Sequence, residues 1–172
     1  MTVGGPGIRD ARPDEGPAIR ALTLAAYEQY AVTLGPLWPM YRANIVETLA
    51  GVAPAEQIVA DRAGVPVGAV LLYPAGALMP GTDNRTRWPE VRLLAVPPAE
   101  RGRGIAEGLM RECVRRARAA GAATLTLHTT DMMAAAVRLY ERLGFTRDPA
   151  LDFHPAPTVL VKGFRLELGA AA

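Results

Sequence analysis

The residues with the strongest claim on chemistry are Arg101-Gly102-Arg103-Gly104-Ile105-Ala106, where a turn runs straight into a helix pattern. At a helix start, unpaired backbone N–H groups point outward and carry partial positive charge, which attracts an anion. Small residues let phosphate oxygens approach the backbone, and Arg101 and Arg103 add charge. Two common phosphate loops are excluded. Gly-x-x-x-x-Gly-Lys is absent, because Lys162 is the sole lysine. Gly-x-Gly-x-x-Gly fails because the glycine after Gly102 and Gly104 is Gly108, one residue late. The same residues also describe a plain glycine-rich strand-to-helix turn.

Other reactive types are few. Cys113 is the only cysteine, which rules out an intrachain disulfide and a cysteine metal cluster and leaves a small core residue on a helix. His128 ends a strand pattern and reads either as a proton relay or as a satisfied structural histidine. His154, among Asp152, Pro155 and Pro157, reads as a loop residue that contacts substrate or merely faces solvent. The two histidines are poorly placed for a metal site, so no metal is expected. Tyr27, Tyr30, Trp38 and Tyr41 are candidate walls of an acceptor pocket, although aromatics at helical spacing also fill cores. Trp88 and Phe153 carry the same two readings.

The scaffold that must position these residues is 172 residues long, which fits a single domain over 1–172. Half the residues are hydrophobic and 21% are charged, as in a globular chain. The longest apolar run, 68–79, is broken by Pro74 and Gly76, so no membrane span and no membrane partner are expected. The first seven residues lack the blocks of a signal peptide, and a cytoplasmic protein is expected. The net charge is +2, yet six arginines (Arg101, Arg103, Arg111, Arg115, Arg116 and Arg118) cluster together. Local positive charge suits a phosphate-rich ligand. Genomic base composition also explains an arginine-rich chain. A nucleic-acid-binding helix over 103–118 is a competing reading, but no aromatic platform or known motif accompanies it, so no nucleic-acid partner is expected.

Strand and helix patterns alternate, which argues for an α/β sandwich. Strands are predicted at 8–11, 57–61, 65–73, 90–96, 123–129, 145–153 and 159–168. Helices are predicted from Pro13 to the break at Gly35-Pro36, then at 41–49, 104–120 and 133–143. Residues 74–89 read as a loop loosened by Gly76 and Gly81. The helix over 104–120 has the clearest buried stripe, with Ile105, Leu109, Cys113 and Ala117 four apart and Gly121 as its stop.

The stretch from Glu90 to Phe145 resembles the GNAT superfamily of N-acetyltransferases. That family's loop reads Gln/Arg-x-x-Gly-x-Gly/Ala, matched by Arg101-x-x-Gly104-x-Ala106. Its strand ending is similar to Leu94-Ala95-Val96-Pro97, and its later helix ending to Leu139-Tyr140-Glu141-Arg142-Leu143-Gly144-Phe145. The resemblance implies a three-layer α/β fold with a central mixed, mostly antiparallel, splayed sheet flanked by helices. Acetyl-CoA, or another short acyl-CoA, would lie in the gap between the strands beginning at Glu90 and Ala123. It further implies that the backbone of Ala95 and Val96 pairs with the pantetheine arm. The Leu94 N–H faces the thioester carbonyl, Arg101, Gly102, Arg103, Gly104, Ile105 and Ala106 surround the pyrophosphate, and Tyr140 lies near the sulfur. Met133 stands where many members carry a cofactor-touching asparagine.

The implied activity is acyl transfer from the CoA thioester to a primary amine of a small molecule or peptide, in a monomer or homodimer. An amine attacks only when neutral, so a base is needed. Glu90 sits six residues before Val96, where a histone-acetylating branch of the family has its catalytic glutamate. Period-two geometry puts Glu90, Arg92, Leu94 and Val96 on one face. Glu90 as base competes with Glu90 as a solvated strand end or an Arg92 partner. Tyr140 is the expected acid for the departing thiolate, against a plain core role. A non-catalytic CoA-binding sensor with the same fold is the alternative to an enzyme.

Overall fold

The computed structural model describes residues 5–80 and 82–169. Gly81, expected to loosen the 74–89 loop, lies outside the described residues. The strands are β1 (Gly7–Asp10), β2 (Glu56–Arg62), β3 (Val65–Tyr73), β4 (Glu90–Ala95), β5 (Thr124–Thr129), β6 (Thr146–Arg147), β7 (Phe153–Ala156) and β8 (Val159–Glu167). The helices are α1 (Gly16–Tyr27), the single turn α2 (Ala31–Leu34), α3 (Trp38–Ala50), α4 (Ile105–Ala119) and α5 (Ala134–Arg142). No helix among the described residues is long and apolar enough to cross a membrane.

One sheet runs β1-β2-β3-β4-β5-β8-β6, with β7 folded back on β8. Every pairing is antiparallel except β4 with β5. That parallel pair holds only at Glu90 opposite Thr126 and Val91 opposite Leu127, after which the strands part. The sheet is therefore mixed, mostly antiparallel and splayed. The larger core lies on the face covered by α4 and α5 and gathers Ile58, Val70, Leu72, Val91, Leu109, Leu125 and Leu127. On the opposite face α1 packs over Val59, Ala69 and Ala95, and Leu49 of α3 meets Leu71 and Tyr73.

Gly68 explains how closely α4 approaches. A Cβ built there would lie 2.6 Å from Ile105 Cγ2, so only glycine lets the first residue of α4 rest on β3. Gly163 does the same for the far side. Its added Cβ would lie 2.2 Å from Leu151 Cβ, because the turn at Pro149–Leu151 crosses directly over β8. Arg147 and Asp152 clamp that turn through a paired ion bridge at 2.6 Å, and the Gly163 N–H donates to Asp152 at 2.9 Å.

Two expectations are corrected. The strand expected over 145–153 is broken: Thr146–Arg147 pairs with β8, the Pro149 turn then lifts the chain off the sheet edge, and pairing resumes only at Phe153 in β7. The second correction concerns β4. Between the pairs Leu71–Arg92 and Ala69–Ala95 the strand carries one extra residue, and Leu93 takes φ +51°. This is a β-bulge, which resets side-chain alternation. Glu90 and Arg92 sit opposite Tyr73 and Leu71, on the α1/α3 face, whereas Leu94 and Val96 pack with Val91 into the α4/α5 core. The four residues do not share one face.

Candidate active site

The loop before α4 begins with a short turn, Pro98–Glu100, and then passes through Gly102 at φ +75° and Gly104 at φ +73°. Two left-handed residues flanking Arg103 curl the backbone into a nest. The N–H groups of Gly102, Arg103, Gly104, Ile105, Ala106 and Glu107 have no hydrogen-bond partner among the described residues, and the helical ladder starts with the Gly108 N–H on the Gly104 carbonyl at 3.0 Å. A Cβ added at either glycine would meet nothing within 4 Å, so the cradle is open and shallow. It is made of backbone, as the glycine spacing requires.

The arginines around it are mostly committed elsewhere. Arg101 turns back from the loop: it donates from Nε to the Val96 carbonyl at 3.2 Å and from the guanidinium to the Ala26 carbonyl at 3.2 Å and Gln29 at 3.3 Å. It therefore ties the end of α1 to β4 rather than hanging over the cradle. Arg111 pairs with Glu107, Arg115 with Glu112, and Arg116 with Glu112, Asp10 and Glu56. These pairs engage Arg111, Arg115 and Arg116, three of the six clustered arginines. Arg103 remains exposed, 4.0 Å from Glu100. Cys113 is fully buried, and burial pushes its thiol pKa to about 12, so it is an inert core residue.

Beyond Val91, the edge of β4 through Ala95 faces the splay without a strand partner on that side. Tyr140 of α5 is buried in the α4/α5 core, its ring 6.0 Å from that of Phe145. From the other face come Tyr27, Tyr30 and Tyr41, with ring centroids 6.0 Å (27 to 30) and 6.1 Å (27 to 41) apart, and Trp38 at 6.2 Å from Tyr41. Tyr140 and the tyrosines of the predicted wall act on one another's ionisation, which places them in one neighbourhood. Burial raises the pKa of Tyr140 far above that of a free phenol, and the hydroxyls of Tyr30 and Tyr41 add to the rise. Tyr41 is pushed up to about 12 by burial, partly offset by Arg92. Tyr27 has a structural task as well: its hydroxyl donates to the Leu94 carbonyl at 3.1 Å, bracing the residue just past the bulge.

Glu90 is 4% exposed and its carboxylate meets His128 Nδ1 across the parallel pair. The other ring nitrogen, Nε2, lies 2.8 Å from the Leu151 carbonyl, an acceptor only, so Nε2 carries a hydrogen. A neutral ring of that tautomer would point a lone pair at a carboxylate. One proton is therefore shared between Glu90 and His128. Burial disfavours the imidazolium, but the hydrogen bond and charge of Glu90 outweigh it and raise the His128 pKa. Phe153 closes the ring's edge at 5.3 Å.

The remaining predicted residues lie further out. Met133 is half-buried at the start of α5, its N–H on the Thr130 carbonyl at 3.0 Å. His154 is exposed on β7, adjacent in sequence to Phe153, and bonds the Val159 carbonyl at 3.1 Å within its own hairpin. Trp88 has the guanidinium groups of Arg87 and Arg165 over its ring, at 4.5 and 4.9 Å. Three contributors escaped the sequence reading: Gly68, Gly163 and Arg92. A glycine inside a strand pattern is the signal that marks the first two. Two surface depressions, of about 530 and 300 Å³, lie away from the splay and border none of its residues.

The sequence profile of the Acetyltransferase (GNAT) family matches residues 20–145, and the chain belongs to that family. Among curated relatives, the mycothiol acetyltransferase of Streptosporangium roseum is 43% identical over 58 residues, 34% of this chain and 17% of that protein. An uncharacterised N-acetyltransferase of Schizosaccharomyces pombe is 31% identical over 108 residues, 63% of this chain and 60% of that one. The matches thus span less than two thirds of either relative. A GNAT acetyltransferase of Brucella melitensis, solved in complex with acetyl-CoA, superposes with TM-score 0.63 at 24% identity, covering 96% of this chain and 90% of the other. At that identity the likeness concerns the fold.

Proposed function

We propose that the chain is an acyl-CoA-dependent N-acyltransferase that moves an acetyl group from acetyl-CoA to a primary amine. The observation that carries this reading is the run of unpaired N–H groups from Gly102 to Glu107, set beside the splay of a GNAT sheet. The bound acetyl-CoA of the Brucella melitensis protein supports the choice of ligand. The cradle fits a diphosphate: it offers several converging donors at a helix N-terminus, with no side chain across its mouth.

Acetyl-CoA supplies a thioester-activated acetyl group. On this reading the nest from Gly102 to Ala106 binds the pyrophosphate, and the edge of Ala95 and Val96 pairs with the pantetheine arm. Pairing through the Val96 carbonyl requires Arg101 to release it. The Leu94 N–H steadies charge on the carbonyl oxygen, an effect worth on the order of a hundredfold where a donor is well placed. Once the Glu90–His128 pair has lost its shared proton to solvent, it takes the proton of the attacking amine, directly or through water. Tyr140, kept protonated by burial, returns a proton to the departing sulfur.

The test is release of free thiol from acetyl-CoA across a panel of amines, beside calorimetry with CoA alone. Amine-dependent thiol release is the expected result. CoA binding without release by any amine points to the sensor reading, and absence of heat with CoA from folded protein overturns both.

A further inference from the structure

Arg92 is out of keeping with the other arginines of the sheet. It lies on β4, an interior strand, half-buried on the face beneath α1 and α3, opposite Leu71 and two residues from Glu90. It forms no ion pair or hydrogen bond with any described residue, whereas Arg9, Arg62, Arg147 and Arg165 are all paired. Removing a guanidinium partly from water costs free energy unless an opposite charge arrives. The carboxylate two residues away on its face, Glu90, is already engaged with His128.

The surroundings add a second, independent sign of an absent partner. The Tyr73 hydroxyl is buried with no hydrogen-bond partner, and Tyr73 is 1% exposed and directly opposite Glu90. The charge of Arg92 acts on the hydroxyls of Tyr27, Tyr41 and Tyr73 alike, so these groups share one neighbourhood. It contains one positive charge, the hydroxyls of Tyr41 and Tyr73 and a proton-sharing pair.

The geometry points to Arg92 as the anion-binding group of the acceptor site, so that the preferred acceptor is a primary amine that also carries a carboxylate a few bonds away. This rests on the N-acyltransferase reading above. Glu90 and Arg92 are two residues apart on one strand face, a Cα separation of roughly 7 Å, and their side chains can converge on one small molecule. Its nitrogen then lies at Glu90–His128 and its anion at the guanidinium. One guanidinium balances one negative charge and binds both oxygens of a carboxylate in its planar fork, which favours a carboxylate over a dianionic phosphate. A free amino acid has this chemistry.

The experiment compares matched acceptors at saturating acetyl-CoA: amino acids, their carboxamides, and the amines left when the carboxylate is removed. In the wild type, kcat/KM is expected to be about ten- to a hundredfold higher for the carboxylate-bearing member of a pair, mainly through KM. Arg92→Gln should bring that ratio close to one, and Arg92→Lys should keep part of it. Equal rates on acid and amide by the wild type overturn the proposal without any variant. So does an undiminished preference in a folded, CoA-binding Arg92→Gln protein. CoA binding with turnover of uncharged amines only removes the carboxylate and leaves the enzyme. Absence of CoA binding removes the enzyme reading itself.

Discussion

The two sides of the splayed sheet are built from different materials. On the α4 side the proposed anion cradle is backbone: its donors are peptide N–H groups, its shape comes from two positive-φ glycines, and most nearby arginines are tied up in ion pairs. On the α1/α3 side the groups proposed to act are all side chains: Glu90, His128, Arg92 and the tyrosines, aimed by a bulge and a two-pair parallel register. A backbone site tolerates nearly any sequence that keeps its dihedrals. A side-chain site changes with each residue, which suits a ligand that varies from one family member to the next.

The sharpest way to break this contrast is Glu90→Gln. It should lower kcat/KM by about a hundred- to ten-thousandfold and remove the rising limb of the pH–rate profile, with CoA affinity little changed; a profile that survives intact removes Glu90 as the base. Next comes the cradle. Gly104→Val puts a branched side chain at φ +73°, a conformation costing roughly 1–2 kcal/mol for L-residues, and should weaken CoA at least about tenfold by calorimetry. Arg103→Gln, which removes only exposed charge, should change CoA affinity less than about threefold. A larger effect for Arg103 than for Gly104 would reverse the contrast.

Smaller effects concern the scaffold. Gly68→Val forces a side chain against Ile105, and overpacking of about 1–3 kcal/mol should lower Tm by several degrees while loosening CoA binding. The smallest is a pH slope in stability. Because His128 is raised in the folded protein, its contribution is complete below about pH 6.5 and is lost as pH rises through the folded value. Glu90→Gln should flatten urea midpoints over that interval. Glu15 works at the opposite end: the hydrogen bond from Arg9 holds it near 2, so its contribution is present above about pH 4.3 and fades as pH falls toward 2.

The order of strands and helices was legible because period and punctuation agree along most of the chain: Gly35, Gly121 and Gly144 stand where helices stop, each at positive φ. The cradle was legible for the same reason, since Gly102 and Gly104 advertise the dihedrals they adopt. The acceptor side was not. Leucine carries no signature of a left-handed conformation, so the bulge at Leu93 was invisible and the strict alternation drawn through β4 failed there. The Glu90–His128 contact joins residues 38 apart through a register that no local pattern encodes. Arg92 resembled one more arginine in an arginine-rich chain until its lack of a partner was seen. The break in the strand expected over 145–153 turned on Gly163, whose missing side chain makes room for a turn from elsewhere in the sequence.

The burial of Cys113 has a practical consequence at the bench. The chain owns a single sulfhydryl, and it is sealed in the core with a pKa near 12. A disulfide dye such as Ellman's reagent, added to the native protein, will therefore colour only with CoA set free by the proposed transfer. The same dye added in denaturant will titrate one equivalent per chain, so a single reagent reports both catalysis and unfolding.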